Sequence, residues 1–125
     1  MIATWGRLEH VAMAPVFRAV GSLQPPPAQG APGPFALSQD GALMALARQA
    51  GLRPEHEAHF TDRWRLPDLT TALRTLLSAG PMCAAIDHAG EDRVRDAVAN
   101  ALGPYRMPGG DYQLDNEFLY LITRA

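Results

Sequence analysis

Few residues in this chain can do acid–base chemistry, and its four histidines head them: His10, His56, His59 and His88. An imidazole takes up and returns a proton near neutral pH. His10 follows Glu9 at the start of a helical pattern, which by itself reads as an exposed pair. His56-x-x-His59, flanked by Glu55 and Glu57, has the residue types of a metal site. The run is strand-like, however, and residues three apart on a strand point to opposite faces, so no shared metal site is expected. Asp87 and His88 close a short helical pattern and are expected to interact with the helix end. Asp62, Arg63 and Arg65 read as a solvated turn. The single cysteine, Cys83, has no basic neighbour to activate it and reads as a buried small apolar residue. No Ser/His/Asp signature or phosphate loop stands out.

These side chains are positioned by an alternation of short elements. Ile2-Ala3-Thr4-Trp5 is the end of a strand, stopped by Gly6. Leu8, Val11, Val16, Val20 and Leu23 form a helical stripe with Pro15 inside it, so the helix kinks there or begins nearby. Gln24 to Pro34 is rich in proline and reads as a stiff loop. Ser38 is a suitable N-cap for a helix over Gln39 to Ala50, ended by Gly51 with Leu52 placed for the accompanying apolar contact. Glu55 to Arg65 reads as a strand. Pro67-Asp68 opens a periodic helix through Leu69, Leu73 and Leu76/Leu77, closed by Gly80. Pro81 to His88 forms a further helix. Glu91-Asp92 opens another, striped by Val94, Val98 and Leu102 and ended by Gly103-Pro104. In Asn116 to Thr123, Phe118, Tyr120 and Ile122 alternate with Leu119 and Leu121. That strand is apolar on both faces and is expected inside a sheet, covered above and below.

The chain has 125 residues, enough for one domain with a modest core, and no internal linker or repeat divides it. Eleven basic residues, all Arg, stand against thirteen acidic ones, a net charge of -2 without like-charge runs. Nucleic acid and anionic membrane are therefore not expected as partners. No apolar run approaches the roughly 18 residues of a membrane span, and the start lacks a signal-peptide pattern. One cysteine excludes an internal disulfide framework and fits a reducing cytoplasm. Arg without Lys, with abundant Ala, Gly and Pro, suggests a GC-rich bacterial genome.

Several segments, taken together, resemble the C-terminal half of a class I S-adenosylmethionine-dependent methyltransferase of the quinone-biosynthesis or natural-product tailoring type. They are Ala3-Thr4-Trp5-Gly6, Pro32 through Ser38, Leu46 through Ala50-Gly51-Leu52, and Ala72 through Pro81. Ala89-Gly90-Glu91, Tyr105-Arg106 and Asn116 through Leu121 complete the pattern, which covers nearly the whole chain. The resemblance implies an α/β fold, α+β in isolation: a small three-stranded mixed sheet flanked by about five helices. The C-terminal strand would be central and antiparallel, between Ile2–Trp5 and Glu55–Arg65.

In that family the cofactor sits on four earlier strands, on a Gly-rich turn and a ribose-binding acid. This sequence begins after those parts, and its Gln29–Pro34 stretch is interrupted by prolines and follows a helix. No S-adenosylmethionine site, other cofactor or metal is therefore expected in these residues. The resemblance places His10 near the acceptor atom as a general base or acid. It implies a pocket for a small organic, secondary-metabolite ligand built from Trp5, Met13, Phe17, Phe35, Trp64, Met82 and Tyr105. Three functions follow as expectations. One is a truncated methyltransferase-like binder, or a cofactor-free cyclase or isomerase. Another is half of a split methyltransferase that works with an N-terminal partner, and the third an interaction module using a sheet edge. The Ile2–Trp5 edge is expected to be covered, by a second copy in a homodimer or by that N-terminal half.

Overall fold

The computed structural model describes residues Met1–Ala125. Their order is β1 (Ile2–Trp5), a 3₁₀ turn (Leu8–His10), α1 (Ala14–Gly21), a 3₁₀ turn (Ala36–Ser38), α2 (Ala42–Gln49) and β2 (Arg53–Leu66). Then follow α3 (Leu69–Leu77), α4 (Gly80–Ala89), α5 (Glu91–Leu102), a 3₁₀ turn (Gly103–Tyr105) and β3 (Tyr112–Arg124). The backbone gathers into two compact units. A sheet unit holds Met1–Val11, Ala31–Asp62 and Asp115–Ala125; a helical unit holds Ala12–Gly30 and Arg63–Leu114.

The sheet has the order β1-β3-β2, with β3 central as the resemblance implies. Ile2 lies opposite Leu121, Ala3 opposite Tyr120, Thr4 opposite Leu119 and Trp5 opposite Phe118. Both ladders are antiparallel, so the sheet is antiparallel throughout rather than mixed. Two-residue alternation divides the strands into two unlike faces. On one, Leu119 and Leu121 pack with Leu43 and Ala47 of α2, joined by Ile2, Leu37 and Leu52. On the other, Trp5 stacks on Phe118 at 4.9 Å between centroids, and Phe118 on Phe60 at 5.4 Å. Phe60 and His56 then both meet Tyr120. This second face is only half-buried at Phe118, Tyr120 and Ile122, and Phe60 is 46% exposed. The expectation of two fully covered faces therefore holds for one. Large planar rings that stack on each other shield their own faces without a covering layer.

The cap of α2 also differs from expectation. Ser38 does not cap it; its Oγ donates to the Trp5 carbonyl at 2.7 Å, and α2 starts after Gly41, whose φ of 75° suits glycine. The other end follows the sequence. Leu52 N bonds Ala47 O and Gly51 N bonds Arg48 O, the paired bonds of a Schellman stop, with Leu52 on the core.

In the helical unit Val94, Val98 and Leu102 are fully buried, and their stripe lets α5 pack on α1, α3 and α4. Pro15 sits in the first turn of α1, where its missing N–H costs no helical bond; the helix begins there instead of kinking. Asp68 caps α3 by accepting from Thr71 N at 2.7 Å. Gly80 opens α4 instead of closing α3, which stops at Ser78. Cys83 is exposed, not buried. The inward residues of α4 are Met82 and Ala85, and one residue's rotation carries Cys83 off that stripe. No single helix is long and apolar enough to cross a membrane.

Candidate functional site

One carboxylate organises the polar chemistry of the sheet unit. Glu117 lies in β3 just before the apolar run, and its side chain is 7% exposed. A carboxylate so placed needs partners for both oxygens. They come from the chain just after β1. Gly6 N donates to Glu117 O at 2.7 Å, bringing the two backbones together. The next residue, Arg7, donates its backbone N–H to Oε1 at 2.9 Å, Nε to Oε1 at 3.0 Å and Nη2 to Oε2 at 2.8 Å. The 3₁₀ turn, closed by His10 N on Arg7 O, brings His10 Nδ1 to 2.9 Å from Oε2. β2 supplies His59, with Nδ1 3.0 Å from Oε1.

The Arg7 guanidinium holds the Glu117 carboxyl well below the usual carboxylate range; burial opposes this, and the Arg7 amide and His10 add to it. Arg7 is held above its usual range, chiefly by its hydrogen bond to the same carboxylate. The charge of Glu117 is thus fixed across the physiological range, and one cation already neutralises it. Each imidazole uses Nδ1 on the carboxylate, which leaves Nε2 as the nitrogen able to take a proton from another molecule. His10 is 47% exposed and His59 38%, so both rings remain accessible.

Arg7 also borders a groove of about 580 Å³ formed with Leu8 and Glu9 on one side and Phe35, Ser38, Gln39 and Asp40 on the other. The Phe35 ring lies 6.4 Å from that of Trp5. A groove of equal volume in the helical unit runs between α1 and α5, lined chiefly by small residues such as Ala19, Ala97 and Ala101.

Of the residues expected at a site, the sheet unit holds His10, Trp5 and Phe35, of which Trp5 and Phe35 are neighbours while His10 lies on Glu117. Met13, Phe17, Trp64, Met82 and Tyr105 belong to the helical unit. There Met13 is 3% and Met82 1% exposed, as core side chains, while Phe17, Trp64 and Tyr105 are half-buried. His56 and His59 point to opposite faces: His56 stands over Tyr120 and His59 meets Glu117. No group of three His, Cys, Asp or Glu side chains is arranged to hold a metal ion.

Arg7, His59 and Glu117 are absent from the sequence-based expectation. Glu117 did carry a signal: a carboxylate heading a strand that is otherwise apolar on both faces implies buried charge and therefore a cationic partner. Nothing local to Arg7 or His59 identifies them as those partners. Comparison of the chain with known protein families, with characterised proteins and with solved structures finds no match.

Proposed function

We propose that this chain binds a small organic molecule and moves a proton on it, using His10 and His59 as an acid–base pair anchored on Glu117. The observation that carries this reading is two imidazole Nδ1 atoms on the two oxygens of one buried carboxylate. A fixed negative charge behind an imidazole sets its tautomer and stabilises the imidazolium formed when Nε2 accepts a proton. Two such rings on one anion support isomerisation or ring closure without redox chemistry. His10 Nε2 takes a proton from a C–H or O–H of the substrate, leaving an enolate or phenolate. His59, protonated, delivers a proton from Nε2 to a second atom, and solvent exchange restores both rings. Arg7, held on the same carboxylate, puts a cation beside the developing anion.

The β1-β3-β2 order favours a second reading in which the same base prepares an acceptor for methyl transfer by a cofactor-binding partner. That order is the one the methyltransferase resemblance implies.

Proton–deuterium exchange into 1,3-dicarbonyl and phenol probes, followed by NMR without cofactor, tests the first reading. His10→Ala and His59→Ala are each expected to slow exchange roughly 100-fold while the circular dichroism spectrum is retained. Exchange in the wild type no faster than in buffer, or unchanged in both variants, refutes it. Methylation of the phenols seen only when S-adenosylmethionine and a partner are added supports the second reading.

A further inference from the structure

We propose that β2 is a self-complementary edge, and that two copies of the chain join along it, antiparallel, into a continuous six-stranded sheet. The sheet order leaves two edges, β1 and β2. β1 has four residues, and its Trp5 carbonyl already accepts from Ser38. β2 has 14 residues, and most of them, including Arg53, Glu55, His59, Phe60, Arg63 and Arg65, are exposed. An exposed edge that long is a template for another strand unless something discourages pairing. β2 contains no Lys, and its only Pro, Pro54, stands at the start.

Scattered charges on such an edge commonly serve to repel other strands. The order of the charges here says otherwise. Two copies related by a two-fold axis normal to the sheet keep their faces on the same side, so each residue meets one of its own parity. With Phe60 on the axis, Glu57 lies opposite Arg63 of the second copy and Glu55 opposite its Arg65. Symmetry repeats both pairs. Phe60 then faces itself, and His56 faces Trp64. Moving the axis to His59 keeps one complementary pair, Glu55 with Arg63, but sets Arg53 against Arg65; moving it to Thr61 keeps only Glu57 with Arg65 and carries Glu55 past the end of the facing strand. One register is thus complementary in two charge pairs, and each neighbour in only one.

Two side chains add to the case within that register. Glu57 is half-buried, its Oε2 is buried without a hydrogen-bond partner, and the register places a guanidinium opposite this residue. Phe60, 46% exposed at the end of the aromatic row, gains a ring partner across the axis. Glu55 is bridged to Arg124 and still 40% exposed, so it can take a second cation.

The test is charge reversal read by analytical ultracentrifugation of the full chain. The wild type is expected to be dimeric at about 50 µM in low salt and to weaken as salt rises. Glu57→Arg and Arg63→Glu should each raise the dissociation constant at least about ten-fold, because each replaces two attractive pairs by two repulsive ones. The double variant should return to near the wild-type value, and an equimolar mixture of the two single variants should form heterodimers. Register is read independently by mild oxidation of Phe60→Cys in a Cys83→Ser background, which should cross-link a dimer across the axis. A wild type that stays monomeric at about 100 µM in low salt overturns the proposal and leaves the edge to a strand of another protein. Single variants as dimeric as the wild type, or no cross-link at residue 60, overturn it equally.

Discussion

Gly6→Ala tests the geometry of the Glu117 cluster more sharply than removal of any charged member. A Cβ at Gly6 would lie 2.6 Å from Glu117 Cγ, 2.7 Å from its Oε1 and 2.9 Å from its backbone carbonyl carbon. Carbon atoms rest at about 3.5–4.0 Å, so one partner must yield by about 1 Å. The bond from Gly6 N to Glu117 O, at 2.7 Å, ties the two backbones, and the side chain is the freer part. A carboxylate displaced that far leaves the 2.8–3.0 Å bonds it accepts from Arg7, His10 and His59. Overpacking costs roughly 1–3 kcal/mol, and stripping a buried charge of its partners costs roughly 3–5 kcal/mol. The second figure is reduced because Arg7, His10 and His59 are about half exposed, and loss of glycine's unfolded-state freedom returns roughly 0.4–1 kcal/mol. A net destabilisation of roughly 2–4 kcal/mol is expected, a large part of the stability of a small domain. Urea unfolding followed by Trp fluorescence measures it, and ¹⁵N resonances of the two imidazoles report whether their Nδ1 partners are lost. A variant within about 0.5 kcal/mol of the wild type, with unchanged imidazole resonances, would refute the close approach and the site built on it.

Glu117→Gln should change the pH dependence of stability. Because the folded carboxyl is held below its usual range, its contribution is fully present above the unfolded carboxyl pKa, about 4.3, and drains away as pH falls further. The variant should be less stable than the wild type at pH 7, with the gap closing between about pH 5 and pH 2 in urea titrations; a gap that stays constant would sink the assignment. Gly21→Ala serves as the contrasting glycine. Gly21 ends α1, and a Cβ there meets nothing within 4 Å. That change should raise stability by roughly 0.5–1 kcal/mol in the same assay, and a loss would show that the helix end is tighter than described.

The elements were legible where local chemistry and packing agree. The α5 stripe needs only a four-residue spacing of Val94, Val98 and Leu102, and the structure buries all three fully. The Gly51-Leu52 stop is likewise local, since its bonds span a single helical turn. Ser38 shows where such reading fails. Its type and position suit a cap, but the Trp5 carbonyl, distant in sequence, is the stronger claim on its hydroxyl. Gly80 and Cys83 fail for a related reason: one residue of helix phase decides whether a side chain is inside or a glycine begins or ends a helix. The candidate site was less legible. His10 stood out by type, but its anchor lies 107 residues away and the second imidazole comes from the opposite edge of the sheet. Spacing along the chain carries no record of such encounters.

The features of β3 follow from which residues of its two faces are buried. Tyr112, Leu114 and Asn116 are buried, and then Glu117, Leu119 and Leu121, so that two successive polar residues are both turned inward. Successive residues of a strand point to opposite faces, so Asn116 is buried on one face and Glu117 on the other. The flanking contacts fit: Val11 bridges Asn116, while Gly6 bonds to Glu117. Tyr112 and Leu114 belong to the helical unit, and Leu119 and Leu121 to the sheet unit's core. Glu117 shares the face of Leu119 and Leu121 and lies next to the chain leaving β1. An apolar side chain there would face Arg7 and His10. Removing the charge while keeping the shape, as Glu117→Gln does, separates packing from charge, because the pairing of β3 should survive and the hold on both histidines should not.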